Sequence, residues 1–222
     1  MPRPLAVVLG MMGRCPFGGQ TWLYLNWLRA LDRAGVDVYY VEDDAAWPYD
    51  PRVDSITDDP TYGAAHIASA MERIGLGGKW AVRPLYRENP EVLGLSKARL
   101  LELYRDCDAL LNVCGATVLN EDHLRARRKV YVETDPVSNQ LELASGKAKT
   151  REMLLAHDVI VTYGENYGAP DCGVPLDGLR YLKTRQPIDL DLWPMVFDAK
   201  APSYTTIGNW KQKGHDLSLI HI

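Results

Sequence analysis

Short apolar runs alternate along the chain with longer stretches of helical periodicity. Residues 5–9 are an unbroken apolar run, and residues 36–41 are apolar except for Asp37. Between them, residues 20–34 carry a leucine at every third position from 25 to 31, which is typical of one face of an amphipathic helix. Gly35 follows, as a glycine does after the last turn of many helices. This order predicts one βαβ unit with parallel strands.

The same alternation continues as far as residue 163. Three further helices are predicted, with Ser96 as the N-cap of the second, at residues 61–74, 96–107 and 137–156. Three further strands are predicted at residues 108–114, 129–132 and 159–163, and the first is mostly apolar, as in a strand buried on both faces. We expect an α/β fold with an open, mainly parallel sheet of about six strands. The polar segment 120–128, which contains His123, is expected to be a solvated helix face.

The last quarter of the chain has a different pattern. Residues 168–187 are loop-rich, whereas residues 204–207 predict a new strand, followed by a loop and about two turns of helix. One strand and two turns cannot bury a core. We therefore expect a first domain at 1–186, a connector at 187–203, and at 204–222 the truncated start of a second domain.

Composition excludes several classes of protein. Of the 222 residues, 46% are apolar and 24% charged, which is normal for a globular protein. The net charge of -4 and the absence of a long basic run argue against nucleic acid as a partner, because binding phosphates needs clustered positive charge. No apolar stretch approaches the roughly 20 residues of a membrane-spanning helix. Four scattered cysteines and the lack of a signal peptide predict a cytoplasmic protein with free thiols and no metal site.

Candidate binding residues follow the predicted strands, because ligands of open parallel sheets bind beyond the carboxyl ends of the strands. The loop after the first strand leads through Gly18 and Gly19 into Gln20 and Thr21, at a helix N-terminus able to hold an anion. It has neither the glycine spacing of a dinucleotide fingerprint nor the lysine of a P-loop. The alternative is a flexible loop whose glycines only permit tight turns.

Two other strand ends carry polar side chains. Glu133 and Asp135 follow the strand at 129–132, and Asp135 is a candidate general base, or else the N-cap of the next helix. Glu165 and Asn166 follow the strand at 159–163 and are candidates for binding sugar hydroxyls, or else belong to a plain turn. No nucleophile elbow and no metal-binding histidine pair is present.

Two segments of the chain resemble a known family. The first strand, the Gly18-Gly19 turn, the helix after it and the sequence AGVDVYYV at 34–41 resemble the first βαβ unit of a GT-B fold glycosyltransferase. The sequence IGNWKQKG at 207–214 is similar to the strand, loop and helix that open the donor-binding domain of that family, with Asn209 where many members have arginine. The resemblance covers the acceptor-side domain and the first residues of the donor side.

The resemblance implies two Rossmann-like domains, with helices on both faces of each sheet, that meet across a cleft. The first domain would bind the acceptor and the second a nucleotide sugar, with no cofactor and no obligatory metal. Gly18, Gly19 and Gln20 would line the cleft, and Lys211 and Lys213 would approach the diphosphate of the donor.

We therefore predict that these residues belong to a glycosyltransferase and that they are inactive on their own. A non-catalytic α/β module for a small ligand and a nucleotide-sugar epimerase of the same fold remain alternatives. The donor sugar, the acceptor and the oligomeric state stay open.

Overall fold

Eight strands form one sheet within residues 2–204, the part of the chain that the computed structural model describes. In chain order the strands of this sheet are β1 (Leu5–Leu9), β2 (Asp37–Asp44), β5 (Trp80–Pro84), β6 (Leu93–Gly94), β7 (Ala109–Val113), β8 (Lys129–Glu133), β9 (Val159–Thr162) and β10 (Tyr181–Lys183). A separate two-stranded hairpin consists of β3 (Tyr49–Asp50) and β4 (Ser55–Ile56).

The strand order in the sheet is β10-β9-β8-β7-β1-β2-β5-β6, and only β6, at one edge, is paired antiparallel. The chain first winds from β1 through β2 to β5, then returns to β7 on the other side of β1 and continues outward. This is the doubly wound order of a Rossmann-like sheet, with its switch point between β1 and β7. The predicted fold class is confirmed.

Helices cover both faces of the sheet, as expected. They are α1 (Gly18–Arg33), α2 (Thr61–Arg73), α3 (Lys97–Asp106), α4 (Ser138–Ala144) and α5 (Ala148–Leu155). One apolar cluster joins Val8 and its neighbours to α1 and α2, and a second joins Val7 and Leu9 to α3. Because successive side chains of β1 point to opposite, equally buried faces, the strand is a continuous apolar run in the sequence.

Local signals placed the ends of several helices correctly. The Ser96 hydroxyl accepts a hydrogen bond of 3.2 Å from the backbone N–H of Arg99, which confirms the predicted N-cap of α3. Gly35 follows α1 with a φ of +84°, a left-handed conformation that favours glycine. None of the helices within residues 2–204 is long and apolar enough to cross a bilayer.

Four expectations about local structure are wrong. The sheet has eight strands rather than about six, and β10 lies in the segment expected to be loop. The single helix expected at 137–156 is two helices, because the chain turns at Gly146 with a φ of +79°. His123 is fully buried rather than on a solvated helix face.

The segment after β10 packs back onto α1. Asp189 accepts hydrogen bonds from Arg29 Nε at 3.1 Å and Arg33 Nη1 at 2.6 Å, and the Trp193 ring lies 4.8 Å from the Trp22 ring. The beginning of the predicted connector is thereby attached to the first helix. The predicted start of a second domain lies outside the described residues, apart from Tyr204.

Candidate functional site

The loop after β1 is held in place by a buried carboxylate from β2. Glu42 Oε1 accepts hydrogen bonds from the Gly13 N–H at 2.5 Å and the Tyr40 hydroxyl at 2.6 Å, and its Oε2 accepts one from the Arg14 N–H at 2.9 Å. Arg14 continues across the switch point: its Nη1 donates to Asp44 at 2.6 Å and to the carbonyl of Ala116, after β7, at 3.3 Å. The two loops that flank the switch point are therefore tied together.

Burial makes Glu42 hard to ionise. Desolvation raises its pKa to about 7, against hydrogen bonds from Tyr40, Gly13 and Arg14 that lower it. Because the folded state keeps a proton that the unfolded chain releases near pH 4.5, the stability that Glu42 contributes is complete below about pH 4.5. It is lost as the pH rises through about 7.

Glu42→Gln, which cannot titrate, isolates this effect. Relative to that variant, the wild type is expected to lose about 3 kcal/mol of unfolding free energy between pH 4.5 and 8. Urea unfolding of both proteins across this range measures the difference. A difference that stays constant with pH would contradict the assignment.

A polar cavity of about 450 Å³ opens beside the switch point, at the carboxyl ends of β7 and β8 and against the first turns of α1. We call it the polar cavity; it is lined by Gln20, Leu23, Cys114, Tyr131, Glu133, Thr134, Asp135, Ser138 and Asn139. Three of the predicted site residues, Gln20, Glu133 and Asp135, therefore meet in one place. They come from two different strand ends, as the strand-end rule requires.

Asp135 is the carboxylate in this cavity that is available for chemistry. Its side chain is exposed, and no hydrogen bond or ion pair to it occurs within residues 2–204. It does not cap α4, because Val137 occupies the N-cap position and donates its N–H to Gln140 Oε1 at 2.9 Å. The alternative interpretation of Asp135 as a helix cap is therefore wrong.

Glu133 has a different environment although it lies only two residues away. It is buried, and its carboxylate accepts hydrogen bonds from Gln140 Nε2 at 2.7 Å, Thr162 Oγ1 at 2.5 Å and Asn139 Nδ2 at 3.3 Å. These bonds fasten α4 and β9 to the end of β8. Glu133 thus shapes the cavity wall, whereas Asp135 faces a potential ligand.

Backbone strain is concentrated at the edges of the polar cavity. Cys114, after β7, has a φ of +62°, and Val137, after the Asp135-Pro136 turn, has a φ of +84°. Such conformations are costly for residues with a Cβ, most of all for a β-branched one, and are frequent at functional sites. The surrounding hydrogen bonds hold Val137 in this conformation and thereby fix the turn that carries Asp135.

Gln20 brings an unpaired polar atom to the cavity. Its Oε1 is buried and has no hydrogen-bond partner among the described residues. It lies in the first turn of α1, where no side chain caps the helix and the N–H groups of Gly18, Gly19 and Gln20 lack helical partners. The partial positive charge of this end favours an anionic or electron-rich group.

The other predicted site residues lie elsewhere. Gly18 and Thr21 line a smaller cavity of about 180 Å³ between α1 and α2, where Thr21 Oγ1 lies 2.8 Å from His66 Nε2. Glu165 is exposed and paired with Arg185, and Asn166 is exposed and bonded to Asp171. Gly19 is exposed in α1, and Lys211 and Lys213 lie outside the described residues.

Several cavity residues were not predicted. Cys114 Sγ lies 2.7 Å from Thr134 Oγ1, and burial raises the pKa of this thiol, so it stays protonated and is a poor nucleophile. Burial likewise raises the pKa of Tyr131 to about 12, and its hydroxyl accepts a hydrogen bond from Asn139 Nδ2 at 2.9 Å. Cys114 directly follows β7, so its position at a strand end was a signal available to find it, whereas Tyr131 lies in the middle of β8 and carries no such signal.

A second polar cluster at the end of β2 is structural. Asp43 is fully buried and accepts hydrogen bonds from Arg83 at 2.9 and 2.6 Å and from the Tyr104 hydroxyl at 2.7 Å. His123 Nδ1 accepts the Asn120 N–H, so the proton on Nε2 is directed at Asp43, 3.1 Å away. Burial would raise the pKa of Asp43, but these hydrogen bonds outweigh it and lower the pKa. No group of three or more metal-binding side chains suited to an ion occurs within residues 2–204.

Neither the protein-family models nor the curated proteins give a match to this sequence. Among solved structures, a similar chain occurs in the crystal structure of the glycotransferase of kitacinnamycin. The two chains share 13% sequence identity and have a TM-score of 0.38. The match covers 96% of the present chain and 56% of the other, so this chain spans little more than half the length of that protein. Since a TM-score below 0.5 does not establish a common fold, the site is defined by this chain's own residues. They define an α/β protein with a polar ligand cavity at its strand ends.

Proposed function

We propose that this chain is the acceptor-binding part of a GT-B type glycosyltransferase, which moves a sugar from a nucleotide sugar to a hydroxyl group held in the polar cavity. The observation that carries the proposal is the free carboxylate of Asp135 in a polar cavity of about 450 Å³ beside the switch point. A hydroxyl group attacks a sugar donor efficiently only if a base accepts its proton, and a carboxylate within reach is suited to that role.

The neighbouring side chains fit an acceptor that carries hydroxyl groups. Gln20 offers an unpaired amide oxygen, and Ser138 and Asn139 offer further donors and acceptors on the opposite wall. Glu133 and Tyr131 are already engaged in hydrogen bonds with Asn139 and hold that wall in place. In this proposal, Asp135 takes the proton of the attacking hydroxyl while the wall residues orient the acceptor.

The donor belongs on the other side of the cleft. The resemblance at 207–214 favours Lys211 and Lys213 as groups that neutralise the departing diphosphate, without a metal ion. The unpaired N–H groups at the start of α1 add partial positive charge near the cavity. The residues that recognise the nucleotide and its sugar would come from a second Rossmann-like domain.

The proposal is tested on the protein that contains these residues, with a panel of nucleoside diphosphate sugars and alcohols. The release of nucleoside diphosphate and the masses of the products are measured. We expect release that depends on the alcohol, together with a glycosylated product, whereas the 222-residue chain alone is expected to be almost inactive. An isomerised nucleotide sugar formed without an alcohol would indicate an epimerase instead. Saturable binding without any reaction would indicate a binding module.

A further inference from the structure

A second cavity, of about 460 Å³, lies between the loop after β7 and helix α5. We call it the apolar cavity, because most of its wall is carbon, mainly from Val118, Leu119, Met153 and Ala156. Three charged residues, Glu142, Lys149 and Glu152, also line it. The connection from β7 to β8 contains a single short 3-10 helix, His123–Arg125. The connection from β8 to β9, by contrast, contains the two α-helices α4 and α5. Space is therefore left on this face of the sheet, and its size and composition are those of a site for a small organic ligand.

Thr117, which lines the apolar cavity, carries a hydroxyl group without a hydrogen-bond partner among the described residues. Thr117 is 2% exposed, and its backbone is fixed by Asn112, whose Nδ2 donates to the Thr117 carbonyl at 2.8 Å and whose Oδ1 accepts the Thr117 N–H at 3.2 Å. The Thr117 hydroxyl itself is buried and makes no hydrogen bond within residues 2–204. A buried hydroxyl without a partner is unfavourable, and a polar group on a bound molecule would remove that cost.

The neighbouring histidine is not available for such a bond. His157 Nδ1 lies 2.9 Å from the Met153 carbonyl, and its Nε2 lies 3.1 Å from Asn112 Nδ2. A neutral ring that donates from Nδ1 and accepts at Nε2 satisfies both contacts, and burial lowers the pKa of His157, which favours this neutral form. Both ring nitrogens of His157 are therefore already hydrogen-bonded, whereas the Thr117 hydroxyl is still able to form a hydrogen bond.

The apolar cavity adjoins the polar cavity, because Asn139 lines both. Its side chain is anchored by the bond from Nδ2 to the Tyr131 hydroxyl. We propose that the acceptor is amphipathic: its apolar body fills the apolar cavity, one polar group on that body bonds to Thr117 Oγ1, and its reacting hydroxyl passes Asn139 to reach Asp135. That the ligand is the acceptor of a sugar rests on the proposed function. That it is amphipathic rests on the two cavities.

Binding of 2-naphthol, an aromatic body with one hydroxyl group, tests the ligand chemistry in the 222-residue chain. Saturable binding followed by fluorescence is expected, and Ala156→Phe, which fills the apolar cavity, should weaken it at least tenfold. Ala148→Phe is the matched control, since it places the same ring on an exposed position at the start of α5, whose last residue precedes Ala156, and Ala148 does not line the cavity. Unsaturable binding, or equal affinity in the two variants, would overturn the proposal.

Thr117→Val provides a test that does not depend on a new bulky side chain. Valine keeps the shape of threonine, so the variant should fold, while 2-naphthol should bind about fivefold more weakly and naphthalene equally well. Equal loss for both ligands, or no loss for either, would show that the Thr117 hydroxyl contacts no ligand.

The transfer assay separates this inference from the proposed function. If transfer to naphthalene-2,6-diol occurs, with one hydroxyl group for Thr117 and a second one to react, and Ala156→Phe raises the KM for this diol but not that for glycerol, both hold. Transfer only to glycerol-like polar alcohols, unaffected by Ala156→Phe, would overturn the amphipathic acceptor and leave the glycosyltransferase intact. Binding of 2-naphthol that Ala156→Phe abolishes, without transfer from any donor, would support the ligand site and overturn the function.

Discussion

Replacing Arg83 with methionine is expected to lower the free energy of unfolding by about 3–5 kcal/mol. Arg83 is 6% exposed and forms two hydrogen bonds with the fully buried carboxylate of Asp43, and a further ion pair at 2.8 Å with Asp122. Methionine keeps much of the volume but removes the charge. The loss is large because Asp43 would remain buried without its cation, a worse situation than the absence of both partners.

The matched control for this prediction is Arg99→Met. Arg99 lies over the Tyr39 ring as Arg83 lies over that of Tyr104, but the Arg99 side chain is 40% exposed and pairs with Glu102 on the surface of α3. Its replacement should cost less than about 1 kcal/mol in urea unfolding. The double variant Arg83→Met with Asp43→Asn should be more stable than Arg83→Met alone, because the unpaired buried charge is gone. Equal stability of the wild type and Arg83→Met would contradict this view of the cluster.

The central strands were predictable because burial on both faces leaves a simple mark on the sequence. β1 and β7 lie in the middle of the sheet and are runs of apolar residues, apart from Asn112. The sequence does not predict β5, because this strand contains Arg83 and ends in Pro84. A buried arginine is favourable there only because it forms an ion pair with Asp43 in the folded protein. β10 was missed because it is three residues long, lies at the edge, and exposes Leu182.

Burial of polar residues was the main point at which sequence reasoning failed. His123 lies in a run of polar residues, which favours a solvated segment. Its partners, Asp43 and Tyr104, are distant in sequence, so nothing local reveals that they enclose it. The same holds for Glu42, whose carboxylate meets the backbone of a loop about 30 residues earlier.

The candidate site could be predicted in part. The strand-end rule correctly brings together Gln20, Glu133 and Asp135, because parallel strands place their carboxyl ends on one edge. It could not distinguish the two carboxylates, since the groups that occupy Glu133 come from α4 and β9. Thr21 lies on another side of α1, and Glu165 is drawn into a surface ion pair with Arg185. Those placements depend on tertiary contacts that no local pattern contains.

The central claim is that sugar transfer takes place at the polar cavity, with Asp135 as the base, and Asp135→Asn tests it most directly. Asparagine is nearly the same size but cannot accept the proton of the attacking hydroxyl, and the exposed Asp135 side chain makes no hydrogen bond or ion pair within residues 2–204. Glu88→Gln is the matched control, because it neutralises an exposed carboxylate that lines neither the polar nor the apolar cavity.

In a protein that also carries the proposed donor-binding domain, the rate of nucleoside diphosphate release is measured for both variants at saturating acceptor over a range of donor concentrations. The expected result is a kcat for Asp135→Asn that is about 10²- to 10⁴-fold below that of the wild type, with an unchanged KM for the donor. Glu88→Gln should retain full activity. A kcat for Asp135→Asn within twofold of the wild type would contradict the claim that the polar cavity is where the reaction occurs.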